Sequence, residues 1–267
     1  MTVIIDHAEG VTTITINRPE LRNAVDPATA ERLYDAFIAF EADPEQRVAI
    51  LTGVAGAFCA GFDLKAAGAG DSDQWIHDID IPDDWSDPVN EPIPGPMGPS
   101  RLMLSKPVIA AIEGHAVAGG MELAAWCDMR IMAEGAVTGV FCRRWGVPLI
   151  DGGTIRFPRI LGQGRANDLI LTGRPVEAEE ALGLGFANRV CPKGQALAVA
   201  QDIARDLTRF PQECMLADHL SARITPAGLA DALRREWRSA RTFAAEGKAG
   251  AARFAAGKGR GGDFSDI

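Results

Sequence analysis

The sequence has no dense run of lysine or arginine, and its formal net charge is −9 with a pI near 5.0. A nucleic-acid binder needs a basic footprint for phosphates, so no nucleic-acid partner is expected. No stretch reaches about 18 apolar residues, the length a membrane-crossing helix requires. The opening residues, "MTVIIDHAEG", lack the basic start of a secretory signal. The five cysteines (Cys59, Cys127, Cys142, Cys191, Cys214) are odd in number and none form a CxxC pair. The four histidines (His7, His77, His115, His219) fall at no ligand spacing with them, so no metal site is expected. Also absent are the GxxxxGK[ST] phosphate loop, the GxSxG nucleophile turn and any internal repeat. These absences leave a soluble acidic enzyme with free thiols in a reducing cytoplasm.

What is present is ordinary in amount. The chain has 267 residues, 47% hydrophobic and 24% charged, enough for one large domain that needs no staples. "VIID" and "VTTITI" read as strands around a turn "HAEG", because β-branched residues dominate and alternate. "DPATAERLYDAFIAFEAD" reads as a helix with Asp26 as N-cap, Pro27 at its first position, and Leu33, Phe37 and Phe40 at helical spacing. "RVAILTG", "KPVIAAIEG" and "MRIMA" read as further strands, and most of the chain after "GGTIRFPRILG" reads as helix apart from a short "ANRV". Strands alternating with helices over the first 140 or so residues indicate an α/β fold. Residues 66–100 are rich in Gly, Asp and Pro. The run "DDWSDPVNEPIPGPMGPS" within them cannot hold a regular helix or central strand, so a long surface loop or lid is expected.

Glycine stands beside a strand end in two places, "FCAGFDL" and "AGGMEL". A helix that starts straight after such a turn presents N–H groups with no internal partner, and its dipole adds partial positive charge. Two such turns facing each other could form an oxyanion hole, although most glycine pairs are simply turns. Glu122 sits just after the second turn, among apolar neighbours.

Several linked stretches then bear a resemblance: "NRPELRNAV", "LTGVAGAFCAGFDL", "KPVIAAIEGHAVAGGMELAAWCDMRIMAE", and "GGTIRFPRILG" followed by "LTGRPVEAEEALGLGFANRV". In order and spacing they resemble the enoyl-CoA hydratase/isomerase (crotonase) superfamily over residues 3 to about 215, with the 66–100 loop and the tail fitting poorly. The resemblance implies a spiral core of ββα turns over residues 1–195 and a C-terminal helical trimerisation subdomain and tail over 196–267. It implies a homotrimer or a dimer of trimers. It implies an acyl-CoA thioester substrate, with coenzyme A as part of the substrate and no separate cofactor. The oxyanion donors would be the backbone N–H groups of Phe62 and Gly119. Ala24 and Ala60 match segments whose backbone contacts the adenine and pantetheine, and Gly120 and Cys142 complete the set expected at the substrate.

The resemblance also exposes a gap. Hydratases of the family use two glutamates; Glu122 matches the first, and the place of the second is held by Cys142 in "TGVFCRRWGVPLIDGGT". A thiol, with a reference pKa of about 8.5 against about 4.3 for Glu, is a poor substitute, although Arg143 and Arg144 could lower it. Cys142 is then either a weak acid or a small apolar filler. Asp151 is the nearest other carboxylate. It is either catalytic or the N-cap of the helix at "GGTIRF", and Ile150 is the closer formal match to the position where some isomerases carry an Asp. Glu122 is likewise either catalytic or a cap of its own helix. His115 is expected to pack against or line the pocket, Trp145 to be core or pocket wall, and Lys258 and Arg260 to reach the CoA phosphates or stay solvated. The 66–100 loop is expected to form part of the acyl pocket. Three functions remain open on this reading: hydration of a 2-enoyl-CoA, double-bond isomerisation, or acyl-CoA binding without catalysis.

Overall fold

A computed structural model of the chain describes residues 1–69, 73–242 and 244–258. Strands β1 (Val3–Ala8) and β2 (Val11–Ile16) form an antiparallel hairpin. Its turn is the two residues Glu9 and Gly10, not the four of "HAEG". His7 and Ala8 extend the ladder opposite Thr12 and Val11, and His7 Nδ1 lies 3.1 Å from Thr12 Oγ1. Helix α1 (Pro27–Ala42) follows, with Asp26 Oδ1 accepting the Thr29 N–H at 2.9 Å. Its buried face carries Leu33, Phe37 and Phe40. β3 (Val48–Gly53) is almost wholly buried and runs parallel to β2.

Short helices α2 (Leu64–Ala69) and α3 (Asp73–Asp78) come next, so the expected long loop begins as helix. Residues 79–98 are irregular, as their prolines require, but they are not a free lid. Ile79, Ile81 and Trp85 are buried in a cluster with residues from near the C-terminus, because three large apolar side chains on an irregular segment need a partner surface. β4 (Val108–Ile112) and β5 (His115–Val117) lead into α4 (Gly119–Trp126), then β6 (Met129–Ala133) and β7 (Val137–Gly139). A tight helical turn at Phe141–Trp145 precedes α5 (Gly153–Leu161) and α6 (Gln163–Thr172). β8 (Val176–Glu177), α7 (Ala178–Leu184) and β9 (Arg189–Cys191) complete the strands. Helices α8 (Ala196–Arg209), α9 (Gln212–Ser221), α10 (Pro226–Thr242) and α11 (Ala244–Ala255) follow.

The strands make two sheets. The larger has order β1-β2-β3-β4-β6-β9, parallel except for the first pair; the smaller has order β5-β7-β8. The main core includes α1, α4, Phe157 of α5 and one face of β3 and β4. On the other face, Ala196, Ala200, Ile203 and Ala204 of α8 cover Val48, Ile50, Ile109, Ala111 and Ile131. Alternate residues of β3 and β4 therefore point to opposite apolar layers, which is why both read as unbroken hydrophobic runs.

The last helices are tied back to the core by polar contacts as well. Asp128, just before β6, accepts from His219 Nε2 at 2.8 Å and Arg223 Nη2 at 3.0 Å, and its other oxygen takes the Val108 N–H. α11 lies on the Phe141–Trp145 turn, with the Trp145 and Phe254 rings edge to face at 5.2 Å. Among the described residues no helix is long and apolar enough to cross a membrane.

Candidate active site

The two glycine turns come together. An isolated parallel bridge pairs Cys59 with Ala116, and the Val117 N–H donates to the Cys59 carbonyl at 3.0 Å. A Cβ placed on Gly120 would overlap that same Cys59 carbonyl oxygen, so only glycine allows the backbones this close. A Cβ on Gly61 would lie 3.0 Å from the Gly119 nitrogen. Phe62 pairs with Val25 as a bridge that uses Gly61 O and Asp63 N. Among the described residues neither the Phe62 N–H nor the Gly119 N–H has a hydrogen-bond acceptor. Ala118, immediately before α4, is held at φ 52 and ψ −126, a region that costs a residue with a Cβ about 1–3 kcal/mol. The strain lies at the turn that sets the direction of the Gly119 N–H.

The segments expected to meet coenzyme A are joined to this turn. Ala60 N–H donates to Arg22 O at 3.1 Å, and Val25 N–H to Gly61 O at 2.9 Å. Arg18 bridges Asp26 at 2.8 Å and Asp63 at 3.2 Å and also donates to Ala24 O, so Ala24 and Ala60 belong to one hydrogen-bonded unit.

Glu122 lies in the first turn of α4 and is 2% exposed. It does not cap its own helix. Its Oε1 accepts the Asp151 N–H at 3.0 Å and the Gly153 N–H at 2.9 Å, both at the start of α5. Among the described residues Oε2 accepts nothing. Burial, then the neighbouring Asp151 and Glu236, push Glu122 well above the usual carboxylate range, and the two N–H bonds only partly oppose this.

Asp151 is also buried, and it too is not a cap: α5 starts from Gly152 with no side-chain cap bond. The Asp151 carboxylate turns instead to the 66–100 segment and its end. Oδ1 accepts the Met97 N–H at 2.9 Å and the Ser100 hydroxyl, and Oδ2 has no partner among the described residues. Burial raises its pKa despite those bonds and the nearby Arg101 and Arg156. Arg156 secures the turn by donating to Asp151 O and Ser100 O, each at 2.8 Å.

Cys142 is buried and its thiol is pushed up to about 12, first by burial and then by Glu122. Arg143 opposes this weakly: its Nε is turned to Ile170 O at 3.0 Å, while Arg144 stacks 3.9 Å over Phe141. Cys142 is therefore a neutral thiol at the position where the resemblance implies a second carboxylate. The His115 side chain is exposed rather than packed, because β5 is so short that its first residue lies at the sheet margin. Trp145 is core, against Phe254. Lys258 is exposed, and Arg260 lies outside the described residues.

A buried carboxylate that the sequence reading did not single out completes the cluster. Glu236 of α10, 4% exposed, accepts the Gly152 N–H at 2.7 Å, the Thr154 N–H at 2.9 Å and the Thr154 hydroxyl at 2.6 Å. One signal was available: Leu229, Leu233 and Glu236 fall at helical spacing on one buried face, so a Glu occupies an apolar position. A cleft of about 370 Å³ lies beside the C-terminal end of α4 and along α5, with Arg156 on its wall. It is lined by residues such as Trp126, Ile155, Arg159 and Leu229, and by neither glycine turn.

A sequence model described as Enoyl-CoA hydratase/isomerase matches residues 6–95 and 99–258. The chain belongs to that family. Within the enoyl-CoA hydratase/isomerase family it is 37% identical over 198 residues to an enoyl-CoA hydratase, EchA19, of Mycobacterium tuberculosis, covering 72% of this chain and 68% of the relative. It is 39% identical over 201 residues to a carnitinyl-CoA dehydratase of Salmonella arizonae, covering 73% and 70%. Among solved structures, a carnitinyl-CoA hydratase from Mycobacterium avium superposes with a TM-score of 0.80 at 30% identity, over 96% of this chain and 95% of the other. These likenesses show the α/β crotonase fold with its C-terminal helices.

Proposed function

We propose that the chain is an acyl-CoA hydro-lyase, adding water to a 2-enoyl-CoA thioester or removing it from the hydrated product. The observation that carries this reading is the meeting, at the start of α4, of unpartnered N–H groups and a buried carboxylate with one open oxygen. The Phe62 and Gly119 N–H groups would hold the thioester oxygen as it gains negative charge. Removing such a donor commonly costs about 3 kcal/mol of transition-state stabilisation. Glu122 Oε1 is fixed by two backbone bonds, which leaves Oε2 to exchange a proton with water or with the substrate carbon. A carboxyl raised above its usual range by burial and by Asp151 and Glu236 takes up a proton more readily than a free one, which suits a group that both accepts and returns a proton. Asp151, with Oδ2 open, is the second carboxyl that we assign to the site. The names of the relatives, enoyl-CoA hydratase and carnitinyl-CoA dehydratase, support the same class of reaction.

One observation favours a second reading. The thiol of Cys142 is neutral where hydratases of the family carry a carboxylate, and a double-bond isomerase needs one carboxylate to move a proton between two carbons. Two assays separate them: loss of the conjugated chromophore of crotonyl-CoA on hydration, and its gain from a 3-enoyl-CoA on isomerisation. Hydration that Glu122→Gln slows by about 10²- to 10⁴-fold is the expected result. A wild-type chain that isomerises 3-enoyl-CoA and hydrates nothing overturns it.

We further propose a trimer or a dimer of trimers with the C-terminal helices at the interface, a cytoplasmic location, and coenzyme A contacts along the backbone of Ala24 and Ala60. Light scattering tests the first of these; a monomer in dilute solution rejects it.

A further inference from the structure

The first four backbone N–H groups of α5 and its leading turn are shared, in strict alternation, by two carboxylates from distant parts of the chain. Asp151 and Gly153 donate to Glu122 Oε1. Gly152 and Thr154 donate to Glu236, which also takes the Thr154 hydroxyl. The two carboxylates differ in what remains open. Glu236 has both oxygens engaged: Oε2 by Gly152, Oε1 by both donors of Thr154. Glu122 has only Oε1 engaged. Burial raises the Glu236 pKa, and the Thr154 and Gly152 donors and Arg156 pull the other way. With both oxygens taken by donors, Glu236 has none left for substrate.

α10 brings Glu236 to this place by contacts on both sides of the residue. Trp237 Nε1 donates to Asp80 Oδ1 at 2.6 Å, and Arg234 donates to the carbonyls of Trp85 and Pro82. Leu229 and Leu233 pack in the same cluster as Ile79, Ile81 and Trp85. The turn that holds Glu122 is therefore anchored to α10.

We propose that Glu236 is a positioning residue for Glu122: it locks the Asp151–Thr154 turn so that Oε1 of Glu122 is held and Oε2 is left toward the reacting atoms. This rests on the reading of Glu122 as the proton-transfer group. Glu236 also acts through charge. The charged and titratable groups around Glu122 are Asp151 and Arg156 from the α5 side, Glu236 from α10 and Cys142 from the Phe141–Trp145 turn. Arg101 faces both Asp151 and Glu236. Removing the negative charge of Glu236 favours ionisation of Glu122.

The test is the pH profile of crotonyl-CoA hydration by the full chain and its Glu236→Gln and Glu236→Asp variants. For Glu236→Gln, an amide N–H₂ must face an N–H donor, so kcat falls on the order of 10- to 100-fold while KM changes less than about threefold. The acid limb of kcat/KM moves to lower pH. Glu236→Asp keeps the charge but shortens the reach, so kcat falls while the acid limb stays. Glu236→Gln with kcat within about twofold of wild type and an unmoved acid limb overturns the proposal. If Glu236→Gln does not fold, Glu236→Asp and Thr154→Val, the latter at an exposed position, decide it: both unchanged in kcat overturns it. Failure of the hydration reading looks different, since wild type then hydrates no better than Glu122→Gln. In that case the carboxyl titration of Glu122, followed by ¹³C NMR in wild type and Glu236→Gln, decides the positioning role. A shift to lower pH supports it and no shift rejects it.

Discussion

Helices α4 and α5 both start from a glycine pair, "AGGMEL" and "DGGTIRF", and both lie beside Glu122, yet their N-termini are treated in opposite ways. At α5 the N–H groups of residues 151–154 all have carboxylate acceptors. At α4 the Gly119 N–H has none among the described residues, and the preceding Ala118 is strained. A helix N-terminus attracts negative charge in either case. Where the chain supplies that charge itself, the result is a fixed turn. Where it does not, an N–H group is left without an acceptor among the described residues, which is the feature our proposed oxyanion role uses. Glu122 links the two, since it stands on the open helix and is held by the satisfied one.

The largest expected effect comes from the link itself. Glu122→Gln keeps an oxygen for the two α5 N–H groups and removes only the proton exchange at Oε2. Hydration of crotonyl-CoA should fall by about 10²- to 10⁴-fold with acyl-CoA binding retained, as read by calorimetry. An unchanged rate would remove Glu122 from the chemistry and leave it as a brace.

Next is the open helix. A methyl on Gly120 meets the Cys59 backbone carbonyl, whereas one on Gly119 meets the flexible end of Met97. Gly120→Ala should therefore separate the two glycine turns and cost about 10²- to 10³-fold in kcat, the loss expected of a damaged oxyanion donor. Gly119→Ala should cost clearly less. The reverse order would mean that the spacing of the turns is not what aligns the donors.

The contrast between the two helix starts was only half legible in the sequence. β2, α1, β3, β4 and β6 could be read because each buries a run of apolar residues over five residues or more, and β1, exposed beyond Val3, was read from its β-branched residues beside the turn. The glycine turns and Glu122 could be found through local spacing and resemblance. β5, β7 and β8 could not, since strands of two or three residues have no period to read and exist through their pairing with one another. Glu236 was hidden for a different reason: its partners lie far away in the chain, and only folding puts α10 against α5. The segment at 79–85 looked like loop by composition, and its burial also depends on α10.

A smaller effect tests the electrostatics of the link through stability. The unfolded chain releases the Glu122 proton near about pH 4.3. The folded chain releases it at higher pH because burial, Asp151 and Glu236 disfavour the charge. Between those values the folded state holds more protons, so stability falls as pH rises and stays lower above the window. Glu122→Gln escapes this loss. Its Tm should exceed that of wild type at pH 8, by about 2–4 °C for each kcal/mol recovered in a chain of this size, and match it at pH 4. A Tm difference that does not vary with pH would show that Glu122 carries no extra proton in the folded state.

The smallest effect is expected at Cys142. Its thiol, pushed up to about 12, is neutral across the working range of pH, and its neighbours in the turn direct their guanidinium groups elsewhere. It is also buried, so it contributes packing rather than charge. Cys142→Ser keeps the size and adds a hydroxyl that is no more acidic, so kcat/KM for crotonyl-CoA should stay within about threefold and the pH profile should not move. A tenfold loss, or a missing alkaline limb, would put Cys142 among the groups that move protons. The satisfied start of α5 would then serve a site with three acids rather than two.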